Sequence, residues 1–203
     1  MASRLIHLAS ASPRRRELLE SAGVPVRVVR SGVDDGLLRS GAVDPVAWTM
    51  ALAYLKARAG LDHNTETDVV LGADTMVVKD GAMLGQPRDE ADARRILGLL
   101  TNGTHTVVTG VALVWRAGGE LQRVVFSDVA TVRVGELDAA SVEAYLASGE
   151  WRGKAGAYNL MERVDAGWPI EWEGDAGTIM GLPMVRLGPM LDGMLGADGP
   201  AAG

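Results

Sequence analysis

Three consecutive arginines, Arg14, Arg15 and Arg16, stand at the start of a predicted helix, just after Ser10 and Ser12. A helix N-terminus carries free N–H groups and a partial positive charge, so each exposed cation there costs about 0.3 kcal/mol or more. A bound phosphate reverses that sign, because amides, hydroxyls and guanidinium groups then converge on its oxygens. The stretch therefore predicts a phosphate site, with a solvated arginine turn as the alternative.

Acidic residues supply the second kind of chemistry. Asp74 interrupts the apolar run VVLGADTMVV, where a carboxylate is costly to bury unless it meets a cation, a metal or hydrogen-bond donors. It is a candidate general base or metal ligand, and the alternative is a carboxylate that only accepts backbone N–H bonds. Asp34 and Asp35 follow a predicted strand and are candidate Mg²⁺ ligands, although a polar turn is the commoner meaning of such a pair.

Two lysines complete the set of candidate groups. Lys56 and Lys154 could each reach a polyphosphate, while each taken singly is more typical of a protein surface. His105 begins a predicted strand and is expected to be structural. The combination of a cationic helix start, an in-strand aspartate, acidic loop residues and lysines indicates metal-assisted cleavage of a nucleotide polyphosphate.

The composition limits the class of protein. The 203 residues carry a net charge of −6, which argues against nucleic-acid and membrane partners and makes the arginine cluster a local cationic spot. The chain has no cysteine, which excludes disulfides and thiolate metal sites and fits a reducing cytoplasm. No apolar run approaches the roughly 18 residues of a spanning helix, and no signal peptide is predicted, so a cytoplasmic location is expected.

The elements that must position these groups alternate between strands and helices. The pattern predicts an α/β fold with a mixed sheet, formed by one domain over residues 1–195 and followed by a disordered tail over 196–203. Predicted strands cover residues 5–9, 26–30, 105–115, 120–134 and 169–173, with two more around a turn at Asp80–Gly81 within 68–84. Predicted helices cover 13–22, 45–60, 90–101, 138–148 and 186–195.

The sequence resembles the Maf family in six blocks that run from residue 9 to residue 184. These blocks are ASASPRRRELL, GADTMVV, LGQPRDEADARRIL, THTVVTGVAL, YLASGEWRGKAGAY and GLPM. The resemblance implies a nucleoside triphosphate pyrophosphatase that cleaves between the α- and β-phosphates, with a divalent cation, Mg²⁺ or Mn²⁺, as cofactor. A house-cleaning role toward non-canonical or excess nucleotides would follow.

The resemblance also implies a fold and an assembly. Members have a mixed, elongated twisted sheet flanked by helices, with two lobes around a deep cleft, similar to inosine triphosphatase-type pyrophosphatases. A homodimer is expected. The alternative function is a nucleotide-binding regulator of cell division or septum formation with little catalysis.

Matching positions carry the expected roles of individual residues. The resemblance makes Asp74 the proton acceptor that activates water, with Arg14, Arg15 and Lys56 beside it in the catalytic set. Asp35 and Asp74 are the expected metal ligands. The expected substrate-binding residues are Ser10, Ser12, Arg14, Arg15, Thr75, Gln86, Lys154 and Met161.

Three positions depart from the family pattern. Asp35 stands where a glutamate is usual, Gln86 where a lysine is usual, and Met161 where many members have a glutamine linked to base recognition. Gln86 donates hydrogen bonds but supplies no charge, and the thioether of Met161 does not read a base edge as a carboxamide does. The sequence therefore predicts neither the dTTP/UTP nor the 7-methyl-GTP preference of known subgroups.

Overall fold

The computed structural model describes residues 5–33, 43–61 and 69–196. The predicted acidic pair Asp34–Asp35 lies outside these described residues, as do residues 197–203 of the expected tail. Gly196 is described and caps the last helix. None of the helices in these three ranges is both long and apolar enough to cross a membrane.

Strands and helices alternate along the chain, and the predicted α/β fold with a mixed sheet is confirmed. The strands are β1 (Ile6–Leu8), β2 (Val26–Val28), β3 (Val69–Lys79), β4 (Ala82–Leu84), β5 (Gly103–Ala117), β6 (Glu120–Val134) and β7 (Ile170–Glu173). The helices are α1 (Pro13–Ser21), α2 (Pro45–Leu61), α3 (Glu90–Leu100), α4 (Ala139–Ser148), α5 (Leu160–Asp165), α6 (Ala176–Met180) and α7 (Met184–Leu195), with a 3₁₀ turn at Ala155–Ala157.

Each predicted strand and helix is present, with ends that differ by a few residues. The sequence did not predict α5, α6 or the 3₁₀ turn. All three are short and lie in a glycine-rich segment. Elements of three to six residues complete hardly more than one helical turn, so they leave no repeated apolar period in the sequence.

One mixed sheet organises the molecule, with strand order β2-β1-β3-β5-β6-β7 and β4 paired to β3. The β1–β2 and β1–β3 pairs are parallel, and α1 and α2 lie in the connections that parallel strands require. The remaining pairs are antiparallel, and β5 pairs with β6 from end to end.

The outer edge of β3 has a gap in its pairing. One edge of β3 pairs with β5 from Val70 to Val78. On the other edge, β1 pairs with residues 69–71 and β4 with residues 77–79. Between these two partners, no described strand pairs with residues 72–76 on that edge. The gap leaves room for side chains and a ligand in the middle of the sheet, beside Asp74 and Thr75.

Helix α2 packs unusually close to the sheet because glycines lie beneath it. A Cβ atom added to Gly72 would lie 2.2 Å from the carbonyl oxygen of Ala53, and one added to Gly110 would lie 2.4 Å from that of Thr49. Both distances are shorter than any van der Waals contact. The helix backbone therefore rests directly on β3 and β5, which brings the middle of α2 within reach of side chains at the gap.

Two large apolar clusters lie on either side of the gap. One cluster includes Leu8, Leu19 and Leu187, while the other includes Ile96 and Trp168. Each is a contiguous core of buried side chains, which explains the division into two lobes. The cleft between the lobes is the place where polar groups can be held without either core being interrupted.

Candidate active site

A cavity of about 680 Å³ opens where the two lobes meet. It brings together side chains from α1, α2, β3 and the segment that runs into α5. Nine of the predicted site residues line it: Ser10, Ser12, Arg14, Arg15, Lys56, Asp74, Thr75, Gln86 and Lys154. Met161 does not line the cavity and is 39% exposed on α5. Asp35 lies outside the described residues.

Asp74 forms the floor of this cavity and is only 7% exposed. The ammonium group of Lys56 donates a hydrogen bond to its Oδ1 at 2.8 Å. No hydrogen bond from any described residue reaches Oδ2, so this oxygen can accept a proton from water or bind a cation. The contact exists because Asp74 pairs with Gly110, whose missing side chain lets α2 approach the strand.

Arg15 is buried and joins three elements at the other side of the cavity. Its Nε donates to the carbonyl oxygen of Gly181 at 2.9 Å. One terminal nitrogen donates to Ser10 Oγ at 3.0 Å, and the other to Thr75 Oγ1 at 2.9 Å. The guanidinium therefore holds α1, β3 and the end of α6 together, in addition to lining the cavity.

A row of hydroxyl groups continues from Thr75 into the protein. Thr75, Thr109 and Asp128 are aligned across β3, β5 and β6. Thr109 donates to the carbonyl oxygen of Thr178 at 2.7 Å, so the 2.9 Å contact between the hydroxyls of Thr75 and Thr109 has Thr75 as donor. The hydroxyl of Thr178 in turn donates to Asp128. The whole row has one consistent direction of donation, beginning at Arg15.

The start of α1 presents donors to the cavity. Ser12 is the N-cap and Pro13 the first helical residue, as predicted, but the Ser12 side chain makes no capping hydrogen bond. Ser10 Oγ accepts bonds from the Ser12 amide at 3.2 Å and from Arg15. Its own proton has no acceptor among the described residues. The first-turn amides and the Ser10 hydroxyl are therefore available to an anion.

The opposite wall comes from the loop before α5. Arg152, Lys154 and Glu162 line the cavity there, and Lys154 is buried in an ion pair with Glu162. Across the cavity mouth, Arg14 donates to the carbonyl oxygen of Gly153 at 3.3 Å. Burial lowers the pKa of the Arg14 guanidinium from its ordinary value, and the charge of Glu162 opposes that shift.

The sign of the charge in the cavity is opposite to that of the whole protein. Among the residues that the structure describes, five cationic side chains line it, namely Arg14, Arg15, Lys56, Arg152 and Lys154, against the three carboxylates of Glu17, Asp74 and Glu162. The chain as a whole has a net charge of −6. A cationic cleft in an anionic protein concentrates anionic ligands at that one position.

Glu17 of α1 was not predicted from the sequence to line the cavity, and neither were Arg152 and Glu162. The latter two belong to the irregular segment between α4 and β7, where no apolar period indicates which side chains face inward. The EWRGKAG stretch that contains Arg152 and Lys154 was the only available signal.

His105 packs behind the cavity wall. Its Nε2 contacts the hydroxyl of Tyr158 at 2.8 Å, and it does not line the cavity. Burial lowers the pKa of His105 to about 4, and the charge of Lys79 adds to that shift. The imidazole is therefore neutral near pH 7, and its contact fixes Tyr158, which does line the cavity.

The described part of the chain contains no group of three His, Cys, Asp or Glu residues that could hold a metal ion. Magnesium, however, is usually bound by only one or two carboxylates, with substrate phosphates and water as the other ligands. Asp74 offers one such hard oxygen atom at the cavity floor. The donor set therefore fits a cation that arrives with a phosphorylated substrate.

Comparisons with known proteins give a consistent result. The profile of the family described as "Maf-like protein" matches residues 5–194. The chain is 42% identical to the dTTP/UTP pyrophosphatase of Moorella thermoacetica, over 91% of this chain and 92% of that one. It is 40% identical to a dTTP/UTP pyrophosphatase of Bacillus cereus, over the same shares.

A solved structure of the Staphylococcus aureus Ham1 protein has a TM-score of 0.42 and 14% identity, over 64% of this chain and 71% of that chain, a likeness too weak to carry an argument. The match of the family profile extends over nearly the whole sequence and includes every described residue that lines the cavity. The chain belongs to the Maf family.

Proposed function

We propose that the protein hydrolyses a nucleoside triphosphate to a nucleoside monophosphate and pyrophosphate, in a house-cleaning role. The observation that carries this proposal is Asp74, a buried carboxylate with one oxygen atom open to a cationic cavity. A carboxylate in that position can take a proton from water beside a bound phosphate. The relatives at 40–42% identity are named as enzymes of this reaction class.

Each described side chain of the cavity has its own role in the proposed hydrolysis. Asp74 Oδ2 accepts the proton of a water molecule as the water oxygen bonds to the α-phosphorus. The bond between the α-phosphorus and the bridging oxygen breaks, and pyrophosphate leaves with that oxygen. Lys56 holds Asp74 in place through Oδ1. The start of α1, with Ser10 and Arg14, binds and orients the phosphates.

A divalent cation, Mg²⁺ or Mn²⁺, belongs to this proposal. Asp74 would hold it, together with Asp35 if the family resemblance extends to that position. When bound, the cation would offset the negative charge of the triphosphate. Removal of the cation with EDTA is therefore expected to abolish hydrolysis, and return of Mg²⁺ or Mn²⁺ to restore it.

The identity of the nucleobase is proposed from the names of the relatives and from the position of Met161. The relatives at 40–42% identity are named dTTP/UTP pyrophosphatases. Met161, the departure that speaks most directly against this preference, lies outside the lining of the cavity. We therefore infer that dTTP and UTP are substrates and that the Met161 thioether does not decide the base.

A nucleotide panel tests the activity and its alternative. The protein is incubated with dTTP, UTP, ATP, GTP and 7-methyl-GTP in Mg²⁺ and in Mn²⁺, and products are separated by anion exchange. UTP and dTTP are expected to give monophosphate and pyrophosphate in equal amounts. Diphosphate and orthophosphate as products would reject cleavage between the α- and β-phosphates. Tight binding without product would favour the nucleotide-binding regulator of cell division.

The assembly of the protein follows from the same resemblance. We infer a homodimer of one-domain chains, without nucleic-acid or membrane partners. Light scattering on a size-exclusion column measures the mass of the assembly, and a monomer at micromolar concentration would contradict the inference.

A further inference from the structure

An internal ion pair occupies the wall of the cavity that faces α1. Lys154 is only 7% exposed, and its ammonium group contacts Glu162 Oε2. The Glu162 side chain is 43% exposed, and both residues line the cavity. The lysine is therefore buried while its counter-ion lies at the boundary between protein and cavity.

The position of Glu162 on α5 suggests a local role that its side chain does not perform. Asn159 is the N-cap of α5, and its Oδ1 accepts a hydrogen bond from the Glu162 amide at 3.1 Å. In a complete capping box, the glutamate three residues after the N-cap bonds back to the N-cap amide. No such bond reaches the Asn159 amide from Glu162, because the carboxylate turns toward Lys154 instead. Capping therefore does not explain the orientation of this side chain.

The carboxylate of Glu162 also acts on a second cavity cation. Among the charges that raise the pKa of Arg14 against the lowering effect of burial, that of Glu162 is the largest. Among the described residues, Lys154 contacts no carboxylate other than Glu162 at hydrogen-bond distance, and Arg14 contacts none. A buried ammonium group needs a compensating anion. Glu162 supplies it, at a place where a phosphate oxygen would do the same.

We propose that Glu162 is an internal counter-ion which the phosphates of the substrate must displace from Lys154, so that this residue sets the affinity of the cleft for polyphosphates. The inference rests on the proposed function for the identity of the ligand class. It predicts that neutralising Glu162 strengthens binding, which is opposite to the usual result of removing a polar group from a binding site. Because Glu162 leaves Lys154 before the chemical step, its loss lowers KM and leaves kcat unchanged.

Calorimetric titration with inorganic tripolyphosphate tests the proposal without any hydrolysis. Glu162→Gln keeps the shape of the side chain and is expected to tighten binding about fivefold, since the pair is partly exposed. Glu150→Gln is the matched control, because Glu150 also forms an ion pair, with Arg163, and its side chain is 50% exposed, but it lies outside the cavity lining. Its dissociation constant should equal that of the wild type.

Lys154→Gln, alone and combined with Glu162→Gln, completes a double-mutant cycle. In that background, Glu162→Gln should no longer tighten binding, because the cation for which the two anions compete is absent. Unchanged or weaker tripolyphosphate binding by Glu162→Gln alone would overturn the proposal, as would an equal gain with and without Lys154. Failure of every variant to bind tripolyphosphate would overturn it as well.

The same preparations separate this inference from the proposed function. Each is assayed for release of pyrophosphate from UTP. If Glu162→Gln binds tripolyphosphate more tightly while no nucleotide of the panel is hydrolysed, the competition holds and the enzymatic proposal fails. If the wild type hydrolyses UTP and Glu162→Gln shows an unchanged or higher KM, the enzymatic proposal holds and the competition is rejected.

Discussion

Asp74 and Thr75 are neighbours in β3, and they meet two different cations on opposite faces of the sheet. Successive residues of a strand point to opposite faces. Asp74 meets Lys56 of α2, and Thr75 meets Arg15 of α1. One contact is an ion pair, while the other is the first link of a row of neutral hydroxyl groups.

The two faces differ in the groups they hold. The α2 face holds the charged pair proposed to act in catalysis, and the other face holds the hydrogen bonds that fix Arg15. On the α2 face, glycines remove side chains so that one charged pair forms at the cavity floor. On the other face, the hydroxyls of Thr75 and Thr109 each have both a donor and an acceptor, so they can fix Arg15 but offer no strong base. We therefore expect substitutions on the first face to change activity most, and substitutions in the hydroxyl row to change stability.

Asp74→Asn should have the largest effect. It keeps the shape of the side chain and removes the proton acceptor, so kcat should fall roughly 1,000-fold with the fold retained, as judged by circular dichroism. Asp80→Asn is the control, since Asp80 lies in the turn after the same strand with an 84% exposed side chain. Wild-type rates in Asp74→Asn would reject the role of Asp74, whereas a slow Asp80→Asn variant would make the strand itself the cause.

Gly110→Ala should disturb the same face through packing. Its new Cβ would lie 2.4 Å from the backbone oxygen of Thr49, so α2 must move away from the sheet and Lys56 with it. We expect the free energy of unfolding to fall by about 3 kcal/mol, with lower activity. Gly98→Ala on α3 meets no atom within 4 Å and should raise stability by about 0.5 kcal/mol or more. Urea denaturation measures both, and equal stabilities would contradict the close approach of α2.

Thr109→Val tests the opposite face. The two side chains have nearly the same shape, but valine leaves the Thr75 hydroxyl without its acceptor and removes the hydroxyl donor to the Thr178 carbonyl, which keeps the bond from the Gly181 amide. Stability should fall by about 2 kcal/mol, and KM should rise because Arg15 is less well fixed. Thr106→Val makes the same change on the same strand at a hydroxyl with no hydrogen bond to a described residue, and should be nearly neutral. The melting temperatures of the Thr109→Val and Thr106→Val variants test this expectation.

Arg14→Gln should give the smallest effect and the cleanest contrast with its neighbour. Among the described residues, Arg14 makes one 3.3 Å hydrogen bond across the cavity mouth, whereas Arg15 donates hydrogen bonds to Ser10, Thr75 and Gly181. We expect KM for the triphosphate to rise about tenfold without a change in melting temperature. Arg16→Gln removes an exposed arginine that pairs only with Glu20 outside the cavity, and its KM should not change. A destabilised Arg14→Gln variant would show that both arginines are structural.

Strands and helices were predicted well from the sequence where they are long enough for the apolar pattern to repeat several times. Strand β5 with β6, and helices α2 and α3, are long enough for their apolar periods and end signals to be read directly. The cationic start of α1, for which we propose phosphate binding, was placed on the helix from charge and capping chemistry. Segment 149–183 was predicted poorly, because its short elements depend on contacts such as the Tyr145 hydroxyl with the Ala157 carbonyl, made between parts of the chain that share no period.

The sequence by itself determined which groups can do chemistry: a cationic helix start, a carboxylate within an apolar strand, and two lysines far apart along the chain. Only the tertiary structure decided which of them meet. Lys56 reaches Asp74 because glycines on two adjacent strands let α2 rest on the sheet, and Lys154 meets Glu162 because the 3₁₀ turn after Lys154 leads directly into the first turn of α5. These pairings join residues 18 and 8 positions apart in the chain, and local composition carries no record of their distance in space.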